Sequence, residues 1–181
     1  MFSEGNPARI LAEQRAGISL LALGMRMSQN SGTQEVLHRM KYGSLPTVGR
    51  ELGHWMAMNW QSPKRSAVLV PVPLHRRRKL RRGFNPSQAL AEGLSKGWNL
   101  EVCVGLLERI RHGKSLTASG RSARMDWIQH AYDVRSRRDL GPCDVLLVDD
   151  VLTTGATVHA CRKQLEAAGH RVLGGAWLAM A

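Results

Sequence analysis

Apolar residues in this chain gather in two alternating rhythms. Ala67 to Val72, Val145 to Val148 and Arg171 to Leu178 are short runs dominated by Val, Leu and Ala. Runs of that kind read as strands buried on both faces. Between them lie longer stretches with apolar positions three and four apart, the spacing of helices. Thr33 can cap a helix running to Tyr42, and Leu45 to Trp60 predicts a second, with Leu52, Trp55, Met56 and Met58 toward the core. Pro86 to Lys96 predicts a helix opened by Asn85 and Pro86, and Ala156 to Ala168 one closed by Gly169. Weaker signals predict an edge strand over Ile18 to Met27, strands over Leu100 to Val104 and Ala131 to Val134, and a short helix over Arg121 to Gln129. Residues 1–17 read as poorly structured or helical, and His112 to Gly120 as a loop. Strand and helix alternate, so the fold class is α/β with a largely parallel sheet.

Composition narrows the setting. A chain of 181 residues has the length of one domain with an ordinary core. The longest apolar stretches fall short of a membrane span, and the N-terminus lacks a secretory pattern. Cys103, Cys143 and Cys161 are odd in number and isolated, which suits neither a disulfide framework nor a structural zinc site. The expected setting is therefore the reducing cytoplasm. The seven histidines are scattered without metal-ligand spacing.

Charge changes the picture more. There are 26 basic against 14 acidic side chains, for a net +12. No carboxylate lies between Glu51 and Glu92, whereas six of the seven residues from Arg76 to Arg82 are cationic. A field of that kind draws in polyanions, and a phosphorylated sugar and a nucleic acid would both profit from it.

Val145 to Thr157 (VLLVDDVLTTGAT) carries the chemistry. Its apolar strand ends on Asp149 and Asp150, where a parallel sheet presents its ligand crevice. Adjacent carboxylates repel unless donors or a cation intervene, and the vicinal hydroxyls of a ribose are such donors. Thr153, Thr154, Gly155, Ala156 and Thr157 then offer backbone N–H groups, three hydroxyls and a helix start, which suit a phosphate. Together they read as a ribose 5-phosphate socket. The competing reading is an ordinary strand–turn–helix with the acids capping the turn.

Upstream, Val70 to Leu74 (VPVPL) leaves a strand through two prolines and enters the arginine run, which reads as a basic loop ending in RRGFN. Arginine suits bidentate contact with phosphate oxygens.

The VLLVDDVLTTGAT segment resembles the signature of type I phosphoribosyltransferases, which bind phosphoribosyl pyrophosphate (PRPP). PVPLH, RRGFN, SQALAEGLS, the His38 to Gly43 segment and Arg124 to Val134 resemble the ComF branch of that superfamily, which is linked to DNA uptake in natural competence. The likeness covers residues 33–179, so residues 33–181 are expected to form a phosphoribosyltransferase-like domain behind a partly ordered segment 1–32. It implies a Rossmann-like twisted sheet flanked by helices. Asp149 and Asp150 would hold the ribose, and Thr153 to Thr157 the 5-phosphate. Val72, Pro73 and Arg82 would serve the pyrophosphate, with Arg109 and Arg124 closing over it. Lys41 is a weaker site residue. Mg²⁺ would arrive with PRPP and take no direct protein ligand.

Two departures stand against the resemblance. Many members begin with a cysteine-rich zinc module, and this chain has no cysteine before Cys103. Trp127 and Leu116 stand where Asn and Gln are usual, in a region that closes over substrate. Two functions follow: transfer of phosphoribosyl to an unknown nitrogen acceptor, or a non-catalytic PRPP socket in DNA uptake. In the second, Arg76, Arg77, Arg78, Lys79 and Arg81 would touch single-stranded DNA or a helicase. The oligomeric state stays open, a dimer being compatible.

Overall fold

A computed structural model describes residues 7–26, 32–42, 45–63, 66–111, 130–135 and 141–181. Its central sheet has the order β1 (Ser19–Arg26), β6 (Arg171–Met180), β5 (Asp144–Leu152), β2 (Val68–Pro71), every pair parallel. The elements beside it are α1 (Pro7–Ala16), α2 (Gly32–Tyr42), α3 (Pro46–Asn59), α4 (Arg76–Arg82), α5 (Pro86–Trp98) and α6 (Ala156–Ala167). A two-stranded antiparallel hairpin, β3 (Leu107–Arg109) with β4 (Tyr132–Val134), lies apart from the sheet.

β5 is the spine because its side chains are useful on both faces. Val145 and Leu147 join the apolar cluster that contains Val158, Cys161 and Leu165 of α6. Leu146 and Val148 join the opposite cluster, with Leu90 and Leu94 of α5. All four are fully buried, as the unbroken apolar run required. The strand continues through Asp149 and Asp150 to Leu152, further than the apolar run alone predicts. β6 likewise extends to Met180 rather than Leu178, pairing Leu152 with Met180.

Three expectations needed correction. Trp55 and Met58 are largely exposed rather than turned to the core. The packed face of α3 is instead Gly49, Gly53, Met56 and Ala57. A Cβ on Gly53 or Gly93 would run into the other helix's backbone, so α3 and α5 lie too close for larger side chains. The strand expected over Leu100 to Val104 shrinks to a single parallel bridge between Leu69 and Val102. Leu69 exchanges both of its backbone groups there, and Pro71 has no N–H to extend the ladder. The arginine run, expected as a loop, is the short helix α4: Arg77 N–H donates to His75 Nδ1 at its start, and Gly83, at φ +83°, ends it. Leu80, its single apolar residue, is exposed, so α4 is held by its caps and not by burial.

The helix expected over Arg121 to Gln129 and the loop over His112 to Gly120 lie outside the described residues, as do Arg124, Leu116 and Trp127. No helix among the described residues is long and apolar enough to cross a membrane.

Candidate functional site

The carboxyl edge of the sheet gathers most of the residues singled out from sequence. Asp149 is partly buried, and its Oδ1 accepts from Ser87 Oγ at 2.8 Å and from the Asp150 N–H at 2.9 Å. Ser87 stands in the first turn of α5, where a helix terminus favours a carboxylate. Asn85 caps that turn by accepting from Ser87 N–H, and its amide donates to the Val72 carbonyl at 3.0 Å. The RGFNPS segment thus ties the β2 exit to the first acid of the DD pair. Ser87→Ala should weaken binding of an Asp149 ligand by about three- to tenfold, the worth of one hydrogen bond. Binding calorimetry checks it, and an unchanged affinity would deny Ser87 that role.

Beyond Asp150, Thr153 and Thr154 are exposed in the turn. Gly155 caps α6 with φ +77°, and Ala156 and Thr157 form its first turn. Thr157 shares a side-chain hydrogen bond with Tyr132. The Arg109 guanidinium lies 5.5 Å from the centre of the Tyr132 ring. Tyr132 therefore links the turn at the start of α6 to an arginine of the hairpin. Burial pushes its phenol well above the ordinary range, with Cys161 and Asp149 adding to the rise against Arg109 and Thr157.

A stability consequence follows with a definite sign. A tyrosine ionises near pH 10 in the unfolded chain, about its ordinary value. Folded Tyr132 keeps its proton beyond that, so its contribution is intact below pH 10 and is lost as pH rises further. Of the two tyrosines in the chain, Tyr132 should ionise only as the protein unfolds. Absorbance at 295 nm recorded beside circular dichroism tests this; ionisation of both tyrosines in folded protein would contradict it.

A cavity of about 200 Å³ opens between the β2 exit, α4, the start of α5 and β3. Pro71, Pro73, Leu74 and Leu107 line it with carbon. Arg76, Lys79, Arg109 and Arg135 line it with charge, against the single carboxylate of Glu108, which Arg135 contacts at 2.5 Å. Arg109 Nε is buried and has no hydrogen-bond partner among the described residues.

Of the expected pyrophosphate group, Pro73 lines this cavity. Val72 is buried with both backbone groups engaged: its N–H donates to the Val148 carbonyl, and its carbonyl accepts from Asn85. Arg82 is half-buried at the end of α4 and does not line the cavity. Arg77, Arg78 and Arg81 are exposed and also lie outside its lining. Lys41 falls in α2.

Cysteine chemistry finds no support. Burial pushes the Cys161 and Cys143 thiols up, which keeps them protonated. Cys143 Sγ lies 3.3 Å from His170 Nδ1, but burial lowers the histidine, so the contact is not a thiolate–imidazolium pair. Ser87, Tyr132 and Arg135 were absent from the sequence-level site. The signals pointing toward them were the ComF-like segments SQALAEGLS, which opens on Ser87, and AYDV, which holds Tyr132.

The chain is similar to bacterial competence proteins. It is 28% identical over 143 residues to "Competence protein F" of Haemophilus influenzae, covering 74% of this chain and 62% of that one. It is 35% identical over 100 residues to "Competence protein ComFC" of Streptococcus pneumoniae, 55% of this chain and 42% of that one. To "DNA utilization protein YhgH" of Escherichia coli K12 it is 28% identical over 129 residues, 68% of this chain and 56% of that one. The chain spans about half the length of the curated relatives it matches. No family model matches it.

Proposed function

We propose that this is a ComF-like protein serving DNA uptake or utilization, built on a phosphoribosyltransferase-type domain with a PRPP socket. The observation that carries the socket is the direct run from Asp149 and Asp150 into a glycine-capped helix start at the open edge of a parallel sheet. In this reading the two carboxylates accept from the ribose hydroxyls. The N–H groups of Gly155 to Thr157 and the threonine hydroxyls take the 5-phosphate. Pyrophosphate extends toward Pro73, with Arg76, Lys79 and Arg109 offsetting its charge.

Mg²⁺ would ride on the ligand's oxygens and keep waters of its own. No three His, Cys, Asp or Glu side chains converge among the described residues to hold it directly. When bound, it would neutralise the pyrophosphate charge. The chain's own part is to position the sugar and to stabilise negative charge on the pyrophosphate side.

The DNA role rests on the relatives' names and on Arg77, Arg78 and Arg81, which α4 turns to solvent. These are suited to the phosphates of a single strand or to an acidic face on a helicase partner. A socket of this kind does not require turnover. Transfer to a nitrogen acceptor is the second reading, favoured by the cavity beside the socket.

Calorimetry with PRPP and Mg²⁺ tests the socket: saturable one-to-one binding is expected, and none would overturn it. Oligonucleotide binding along a salt series tests the strand contact. The logarithm of the affinity should fall linearly with that of salt, by about 0.7 per phosphate neutralised. Absence of binding at low salt would remove that role.

A further inference from the structure

Tyr132 is 3% exposed, although it stands on a strand of three residues outside the central sheet. Its backbone is held by β3: it pairs with Arg109, and the next N–H along, that of Ile110, donates to the Ala131 carbonyl at 3.0 Å. Its ring packs in the apolar cluster with Val158 and Cys161 of α6. Thr157 and Cys161 are four residues apart, so they share the face of α6 that meets this ring. A phenylalanine would bury the same carbon. The hydroxyl is what needs a reason, because a buried phenol must find a partner, and the one it finds is the Thr157 side chain.

Thr157 is half-buried in the first turn of α6. A threonine inside a helix can settle its hydroxyl on the carbonyl three or four residues earlier. For Thr157 those residues are Thr154 and Thr153, which lie ahead of the Gly155 cap and outside the helix. Regular helix geometry therefore does not fix this hydroxyl, and Tyr132 does. Burial keeps the phenol protonated, so it has a proton to give to Thr157 Oγ1. A hydroxyl that accepts one hydrogen bond still has its own proton to donate, and bonds linked in this way strengthen one another.

We infer that Tyr132 is a positioning residue for the phosphate end of the ligand: its hydroxyl holds Thr157 Oγ1 so that Thr157 gives its own proton to the 5-phosphate. This deepens the PRPP reading and rests on it, adding a residue that acts without touching the ligand. The same ring lies 5.5 Å from the Arg109 guanidinium on the pyrophosphate side. Tyr132→Phe keeps that contact and removes the hydroxyl alone.

Calorimetry with ribose 5-phosphate, and separately with pyrophosphate and Mg²⁺, tests the inference on the parent, Tyr132→Phe, Thr157→Val and the double variant. A thermal melt accompanies each. Tyr132→Phe is expected to weaken ribose 5-phosphate by about three- to tenfold, the worth of one hydrogen bond, while pyrophosphate stays within about twofold. Thr157→Val should weaken ribose 5-phosphate at least as far. The double variant should lose no more than Thr157→Val alone, because the two hydroxyls act as a unit. Equal loss of both ligands in Tyr132→Phe would mean that the tyrosine only fills the core, and additive losses would mean that the hydroxyls act separately; either overturns the inference. An unchanged ribose 5-phosphate affinity in Thr157→Val would overturn it too, however well Tyr132→Phe folds. A parent that does not bind ribose 5-phosphate would sink the socket itself, and the inference with it.

Discussion

Asp149→Asn/Asp150→Asn is expected to remove measurable PRPP binding while leaving the fold intact. Asparagine keeps the shape of each side chain and discards the charge that makes it a strong acceptor for ribose hydroxyls. A hydrogen bond to a charged group is worth about 1.5–3 kcal/mol. Losing two costs up to about 3–6 kcal/mol, or roughly 10²- to 10⁴-fold in affinity. The neighbouring geometry survives, because the asparagine oxygen at position 149 can still accept from Ser87 and from the Asp150 amide. Two adjacent carboxylates at an open edge also repel, so the variant should melt at the same temperature as the parent or slightly above it. Calorimetry with PRPP and Mg²⁺, beside a thermal melt, decides the matter. Affinity retained within threefold would mean that the pair caps the turn and does not hold a sugar.

How far the sequence foretold this molecule depended on whether the cause was local. The buried strand through Val145 to Val148 and the glycine-capped start of α6 are set by neighbours along the chain, and both were legible. The strut from Ser87 to Asp149 spans 62 residues, and although Ser87 opens the SQALAEGLS segment, nothing along the chain pairs it with that acid. Periodicity carries no information about such a partnership. Tyr132 was hidden for the same reason: its position as bridge between Arg109 and Thr157 exists only once the hairpin folds over α6. Trp55 and Met58 misled in another way. Hydrophobicity marked them for the core, but Gly49 and Gly53 had claimed the packed face of α3 by letting α5 come close. In α4, six charges among seven residues hid a helix whose formation depends on His75 and Gly83 at its two ends.

Two glycines separate backbone strain from a contact specific to the site. Gly83 and Gly155 have φ of +83° and +77°, so an alanine at either pays for a left-handed backbone, about 1–2 kcal/mol. Around Gly83 nothing lies within 4 Å of an added Cβ, and strain is the whole cost. At Gly155 the Cβ would run into the Arg15 carbonyl oxygen at the end of α1. That end is fixed in place: Gly17 N–H donates to the Glu13 carbonyl, and Arg162 Nη1 donates to the Gly17 carbonyl at 2.6 Å. Either α1 moves off or the turn ahead of α6 shifts, and both disturb what surrounds the proposed socket. Gly83→Ala should therefore lower Tm by about 2–8 °C, at roughly 2–4 °C per kcal/mol for a chain of this size. Gly155→Ala should lower it at least twice as far and weaken PRPP binding tenfold or more, because the N–H groups of the turn would no longer converge on the phosphate. Urea denaturation and calorimetry on the two variants supply the comparison. Equal losses of stability would show that α1 does not press on the turn, and unchanged PRPP affinity in Gly155→Ala would show that the phosphate is held elsewhere.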